Sequence, residues 1–361
     1  MGLEFKLTDR ELPISPVFVR FLAQELAARP VAAETWAEQR AEILTPHDAS
    51  SEPLSEAVAA IMGSERGREH LARAYGLLIA LLSGELAPLE ELQSRYHFVS
   101  VVGIPRTGGT YLTAELYRAL GMDPSQLAGG LAHDSFPDAG PFQLQPGANS
   151  WVIALKTMAE YLTMVEIRFG DRSQHAGKIV VPKKLTKSAY AGGFFHRVLG
   201  AQAEYLLTVR HPAASCVSTY EKSGGLPADG RFAVRSNIED WCRRDLEHLG
   251  CDAAQLAKMD YFDAYLRYWE NYHLSVALTG LAASKNLRVI AFGRESIEAC
   301  ARAHHERYSS GLQAADFHVA DTARRRHPDW IERAAPAIHR IEAAWTLAGI
   351  RFPRQELSEA W

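Results

Sequence analysis

The stretch Phe98-Val99-Ser100-Val101-Val102-Gly103-Ile104-Pro105-Arg106-Thr107-Gly108-Gly109-Thr110 runs an apolar, β-branched segment straight into a glycine-rich turn. A short apolar run of this kind, bounded by turn residues, predicts a buried strand. The residues beyond it predict a loop and then a helix, Tyr111 to Leu120. Gly103, Gly108 and Thr110 stand in register with the phosphate-binding pattern G-x-x-x-x-G-K-[ST], but Gly109 occupies the lysine position. In that pattern the lysine reaches the β/γ-phosphates and the hydroxyl holds Mg²⁺. Without it, what remains is an anion cradle at a helix N-terminus, with Arg106 as the nearest fixed cation. Such a loop suits a donor with one phosphate-like group to hold and no metal to organise.

A second stretch, Glu204-Tyr205-Leu206-Leu207-Thr208-Val209, also reads as a strand, closed by Arg210-His211-Pro212 before a helical run containing Ser218. An arginine fork can meet a terminal phosphate bidentately while a hydroxyl supplies one more hydrogen bond. Taken together, Pro105-Arg106-Thr107-Gly108-Gly109-Thr110 and the Arg210/Ser218 pair, eight residues apart, resemble the two cofactor motifs of sulfotransferases that use 3′-phosphoadenosine 5′-phosphosulfate (PAPS). The first departs from that family's P-[KR]-[ST]-G-T-T loop only at Gly109. The resemblance covers roughly residues 97 to 300 and implies a bacterial-type, PAPS-dependent sulfotransferase. It implies that Arg106, Thr107, Gly108, Gly109, Thr110 and Tyr111 surround the 5′-phosphosulfate and that Arg210 and Ser218 grip the 3′-phosphate.

Composition agrees with a soluble enzyme. The chain has 361 residues, and 39 basic against 43 acidic side chains give a net charge of −4, without the basic excess of a nucleic-acid binder. Cys216, Cys242, Cys251 and Cys300 show no C-x-x-C spacing and read as reduced thiols, with no zinc site. The first residues lack a signal-peptide core, and the longest apolar stretch, Gly76 to Ser83, reads as a core helix too short to span a bilayer. The expectation is a cytoplasmic protein with no transmembrane segment, no nucleic-acid partner, and a homodimer left open.

The expected fold class is α/β: a parallel sheet with a P-loop-like nucleotide-binding core, a helical N-terminal extension and a helical C-terminal tail. Helical segments are predicted at Val17 to Ala28, Ala32 to Ile43 and Glu56 to Leu82, and strands at 97–103, 178–182, 203–209 and 287–292. The implied division is 1–95 for the extension, 96–300 for the core and 301–361 for the tail. In a parallel sheet ligands bind beyond the carboxyl ends of the strands, where both motifs fall.

The chemistry implied is in-line transfer of a sulfuryl group from PAPS to a hydroxyl or amine of a small-molecule, lipid or glycan acceptor, which needs a general base. His133 and Asp134, in Leu131-Ala132-His133-Asp134-Ser135-Phe136 after the first helix, are the candidates; an exposed histidine beside a turn aspartate is the equally weighted alternative. Some sulfotransferases take the base from a Lys-x-His strand end. Its counterpart here, Val181-Pro182-Lys183-Lys184-Leu185-Thr186-Lys187, has no histidine, so its lysines, chiefly Lys184, read as binders of sulfuryl oxygens or of an anionic acceptor. His304-His305-Glu306 lacks metal-site order, Arg324-Arg325-Arg326 reads as a solvated face, and the aromatics from Tyr261 to Tyr272 have the spacing of a core helix. Two other readings stay open: a P-loop-type kinase, and a non-catalytic PAPS-binding protein.

Overall fold

The computed structural model describes residues 14–27, 52–124, 129–134, 148–308, 315–317 and 327–359. The expected helix at 32–43 and the Arg324–Arg326 run lie outside them. In chain order the helices and strands are α1 (Pro16–Ala27), α2 (Glu52–Gly63), α3 (Glu65–Ser83), α4 (Ala87–Arg95), β1 (Tyr96–Val102), α5 (Gly109–Ala119), the one-turn α6 (Gly129–Ala132), α7 (Ala148–Phe169), β2 (Ile179–Lys184), α8 (Gly192–Leu199), β3 (Glu204–Val209), α9 (Pro212–Lys222), α10 (Asn237–His248), α11 (Ala253–Lys258), α12 (Tyr261–Leu278), β4 (Leu287–Ala291), α13 (Arg294–Tyr308), α14 (Asp329–Leu347) and α15 (Arg354–Glu359). A 3₁₀ turn, Thr186–Tyr190, comes after β2.

The four strands form an all-parallel sheet in the order β2-β1-β3-β4. Parallel neighbours need long crossovers, and helices supply each of them. From β1 the chain travels out to β2, and from β3 it travels the other way to β4, so the two connections diverge and leave a crevice between the carboxyl ends of β1 and β3.

Helices cover both faces of the sheet, which is why β1 is apolar nearly throughout. Val99 and Val101 belong to a smaller core with Leu112 and Leu116 of α5 and Ile297 and Ala301 of α13. Phe98 and Val102, one step out of phase, belong to the larger core that includes Leu162 and Val165 of α7 and Trp269 of α12. The strand's period of two thus divides its side chains between two layers, each fully buried aliphatic group contributing roughly 1.5–3 kcal/mol.

The helical preface is joined to this core along α7. Arg73 of α3 donates from Nε and Nη2 to Glu166 at 2.8 and 2.7 Å, and Ser15, just ahead of α1, donates its backbone N–H at 3.0 Å and its hydroxyl to Glu160. The helix expected over 56–82 is two helices, because Ser64 accepts from the Gly67 N–H at 3.3 Å and starts a new one. Gly67 is needed at that fold-back, where a side chain would run into the Ile61 carbonyl. Among the described residues no single helix is long and apolar enough to cross a membrane; α3 and α4 pass such a test only as a pair bent by 118°.

At the other end α14 lies on α12, with Trp330 stacked on Phe262 at 4.4 Å and the Trp345 indole donating to the His273 carbonyl at 2.7 Å. One helix, α13, runs across the expected boundary between 300 and 301, and its Ile297, Cys300, Ala301 and Tyr308 share one core with Val99 and Val101 of β1. That helix also anchors the sheet's amino edge. Glu204 at the start of β3 accepts from His97 Nε2 at 2.9 Å and Arg307 Nη1 at 2.7 Å. Burial pushes this carboxyl up, but the two hydrogen bonds outweigh it and hold it at about 2. Because the folded value lies below the ordinary one, the pair stabilises the fold above about pH 4.3 and the benefit fades as pH falls toward 2. Glu204→Gln should remove about 1–2 kcal/mol at pH 7, after allowance for screening, and less at pH 3, as read by urea unfolding at the two pH values.

Candidate functional site

The turn between β1 and α5 is built from three residues of positive φ and one internal pin. Gly103, at φ 154°, lies where a side chain would strike the Thr208 and Thr107 hydroxyls. Thr107, 1% exposed, donates to the Ile104 carbonyl at 2.7 Å, and its oxygen is 2.8 Å from the Thr208 hydroxyl of β3. Its side chain therefore ties the loop to the neighbouring strand and faces the interior. The expectation had Thr107 among the residues around a ligand, whereas its side chain is taken up by these internal bonds. Gly108, at φ 85°, caps α5 without a side chain, leaving the first N–H groups of that helix without intrahelical partners. Arg106 adopts φ 72°, a conformation that costs a non-glycine residue of order 1 kcal/mol, and its side chain is exposed.

Arg106, Arg210 and Ser218 come together in space. Arg106 Nε donates to Ser218 Oγ at 2.9 Å, and Arg210 Nη1 donates to the Arg106 carbonyl at 3.1 Å. Arg210 itself lies with its guanidinium carbon 4.2 Å from the centre of the Phe292 ring, while the Trp269 indole donates to its carbonyl at 3.1 Å. Burial lowers Arg210 to about 10, with Tyr265 opposing and Arg106 reinforcing the shift, so the side chain stays cationic at neutral pH. Among the described residues neither guanidinium has a carboxylate within ion-pair distance. Next to Arg210, His211 accepts from the Ala213 N–H through Nδ1 at 3.3 Å and starts α9 ahead of Pro212; burial drives it down to about 4, so it is neutral.

A second group meets the loop from β2. Lys184 Nζ lies 3.1 Å from His133 Nε2. A lysine ammonium can only donate, so Nε2 accepts and the proton of a neutral His133 ring sits on Nδ1. Nδ1 is 4.0 Å from Asp134 Oδ2, and Asp134 Oδ1 accepts from the Thr186 N–H at 2.7 Å. Asp134 is 4% exposed, and its Oδ2 has no hydrogen-bond partner among the described residues. His133 and Thr110 both line a small cavity of about 20 Å³, room for a single water, together with Thr113 and Tyr117 of α5. The histidine segment and the loop thus share one wall.

A lysine from β2 crosses Gly109. A side chain placed on Gly109 would meet Lys184 Cε at 3.3 Å and Cδ at 3.8 Å, so Lys184 passes across this glycine on its way to His133. Its two neighbours behave differently. Lys183 donates to the carbonyls of Gly130, Leu131 and His133, and Lys187 places Nζ 5.3 Å from the Trp241 ring centre, both side chains being buried. Of the three lysines expected to bind anions, Lys184 alone reaches the loop. Tyr111 also points elsewhere: its hydroxyl donates to the Ala315 carbonyl at 2.6 Å and its ring lies 4.6 Å from Phe317. Burial lifts that hydroxyl to about 12. His304 and His305 are structural, bonding the Cys300 carbonyl and the buried Glu115.

Phe292, Thr208 and Trp269 carry no functional signal in the sequence. Their side chains read as ordinary core groups, and only the crossing of β3, β4 and α12 brings them to Arg210 and Thr107. Against protein-family models, curated proteins and solved structures, the chain finds no match.

If Lys184 needs the clearance at Gly109, Gly109→Thr should destabilise the protein by about 1–2 kcal/mol, and by at least about 0.5 kcal/mol less in a Lys184→Ala background. Chemical unfolding of the four proteins in that cycle measures the coupling; additive losses would mean that the two residues do not interact.

Proposed function

We propose that the α/β core is P-loop-like and that the chain is a sulfotransferase, moving a sulfuryl group from PAPS to a hydroxyl or amine of a small-molecule, lipid or glycan acceptor. The single observation that carries this reading is the convergence of Arg106, Arg210 and Ser218 at the crevice between β1 and β3. A donor bearing phosphates at both ends of a ribose would find one cation on the loop and one at the end of β3. The 3′-phosphate falls to Arg210 and Ser218, with Arg210 partly desolvated over Phe292 and so held to one geometry.

The groups around the loop supply the chemistry. The acceptor oxygen attacks sulfur as the bond from sulfur to the 5′-phosphate oxygen breaks, and adenosine 3′,5′-bisphosphate leaves. Charge gathers on the leaving phosphate, where Arg106 and the open N–H groups of α5 are available to stabilise it. Lys184, crossing Gly109 from β2, supplies the positive charge that the loop lacks at that position. His133 takes the acceptor's proton on Nε2 once an acceptor displaces Lys184 from it, and Asp134 faces the Nδ1 proton. Loose transfer of this kind rests on positioning more than on covalent help.

Calorimetry with adenosine 3′,5′-bisphosphate and with ADP, each with and without Mg²⁺, tests the reading against a nucleotide kinase. The bisphosphate should bind without metal. Arg210→Ala should weaken it by about 10–100-fold while changing the affinity for adenosine 5′-monophosphate less than about threefold; equal losses for both would overturn the assignment of the 3′-phosphate. With an acceptor found by screening alcohols, phenols and amines, His133→Ala should lower turnover by about 10²–10⁴-fold and leave bisphosphate affinity nearly intact. Binding with no turnover on any acceptor would favour a non-catalytic carrier of the nucleotide.

A further inference from the structure

Lys183 is the least explained charge near the site. It is 3% exposed, sits inside the molecule beside Lys184, and has no place on the ligand side of the loop. Its amine instead donates to the carbonyl of Gly130 at 2.8 Å, to that of His133 at 3.2 Å and, more weakly, to that of Leu131 at 3.4 Å. These carbonyls belong to α6 and the residue after it. A helix of four residues has too few internal hydrogen bonds to hold itself, so an outside donor decides whether it forms. The face of Tyr161 on α7 closes the other side, 4.3 Å from Nζ.

We propose that Lys183 is a positioning residue: its buried amine clamps the segment carrying His133 to the end of β2, and the base stands over the loop only while that clamp is shut. The inference rests on the reading of His133 as base for its catalytic meaning, but the clamp itself is a property of the fold. The Thr186 N–H to Asp134 bond fastens the same segment one residue further on.

The clamp is coupled to protons. Among the described residues, the charged and titratable groups around Lys183 include Asp134 and His133 on the segment, Lys184 on β2, Tyr161 on α7, and Tyr117 of α5, which donates to the Pro182 carbonyl at 2.5 Å. Burial lowers the Lys183 amine to about 7, against a smaller upward pull from Asp134. Released into water it would return to about 10.4. The shut state therefore holds a proton more weakly than the open one. Opening takes up a proton between about pH 7 and 10.4, so rising pH favours the shut state by up to about tenfold per unit, and below about pH 7 the dependence disappears.

Hydrogen exchange read by mass spectrometry on the full chain tests this without any knowledge of the acceptor. After correction for intrinsic rates, peptides covering 129–134 in the wild type should open at least about tenfold less often at pH 9 than at pH 7. In Lys183→Met the same peptides should exchange about tenfold faster at pH 9 and lose the pH dependence, with β1 and β3 unchanged. Lys183→Arg, charged throughout, should also be flat with pH. Lys183→Met indistinguishable from wild type at both pH values overturns the clamp, with Lys183→Gln taking its place if that variant does not fold, and a flat wild-type series overturns its coupling to protons. Where an acceptor is in hand, Lys183→Met should lower turnover with bisphosphate affinity unchanged, and equal loss of both would contradict a positioning role. Failure of the wild type to bind adenosine 3′,5′-bisphosphate would sink the sulfotransferase reading and leave the clamp standing.

Discussion

Two like charges held close together, with no acid between them among the described residues, set the terms for everything at the carboxyl edge of this sheet. Arg106 and Arg210 repel each other, and burial lowers the basicity of Arg210. The arrangement persists because other groups hold it: the Phe292 face beneath Arg210, the Ser218 hydroxyl on Arg106 and the Arg106 carbonyl accepting from its neighbour. Each contact fixes geometry without neutralising charge. Glu221 offsets the charge of Arg210 only in part, and the N–H groups at the start of α5, without intrahelical partners, add partial positive charge to the same edge.

Topology makes such a meeting possible. Diverging connections from β1 and β3 leave the crevice, and parallel pairing brings Val102, the last residue of β1, level with Leu207, so that β3 runs two residues further, to Val209. Thr107 and Thr208 then bind across the gap and set the height of the loop. Behind them stands a second tier: Trp269 of α12 carries the Arg210 backbone, and α14 stacks on α12 through Trp330 and Trp345. The tail is far from the ends of β1 and β3 in sequence and holds the helix that supports Arg210.

On the other flank the site depends on β2. Its last two residues divide the work by the alternation of a strand, which sends neighbouring side chains to opposite faces. Lys184 crosses Gly109 toward His133, whereas Lys183 turns inward and holds the backbone on which His133 rides. The strand end lacks a histidine of its own, and one arrives there from the end of α6 instead.

The sequence was sufficient for whatever depends on local pattern. Runs such as Phe98–Val102 and Glu204–Val209 are short, β-branched and bounded by turn residues, and glycines follow β1, so the four strands and the loop were legible to within a residue or two. Arg106, Arg210 and Ser218 were legible as a set only through the resemblance to the sulfotransferase motifs; taken singly, each reads as an ordinary surface group. What a side chain does after leaving the backbone was not. That Thr107 points inward, that Tyr111 turns to Ala315, and that of three neighbouring lysines one reaches the loop, one grips carbonyls and one lies over Trp241, all depend on partners far away in the chain. The boundary at residue 300 was invisible for the same reason: α13 joins the sheet through a shared core, and cores are made by contacts between distant segments rather than by any signal within one.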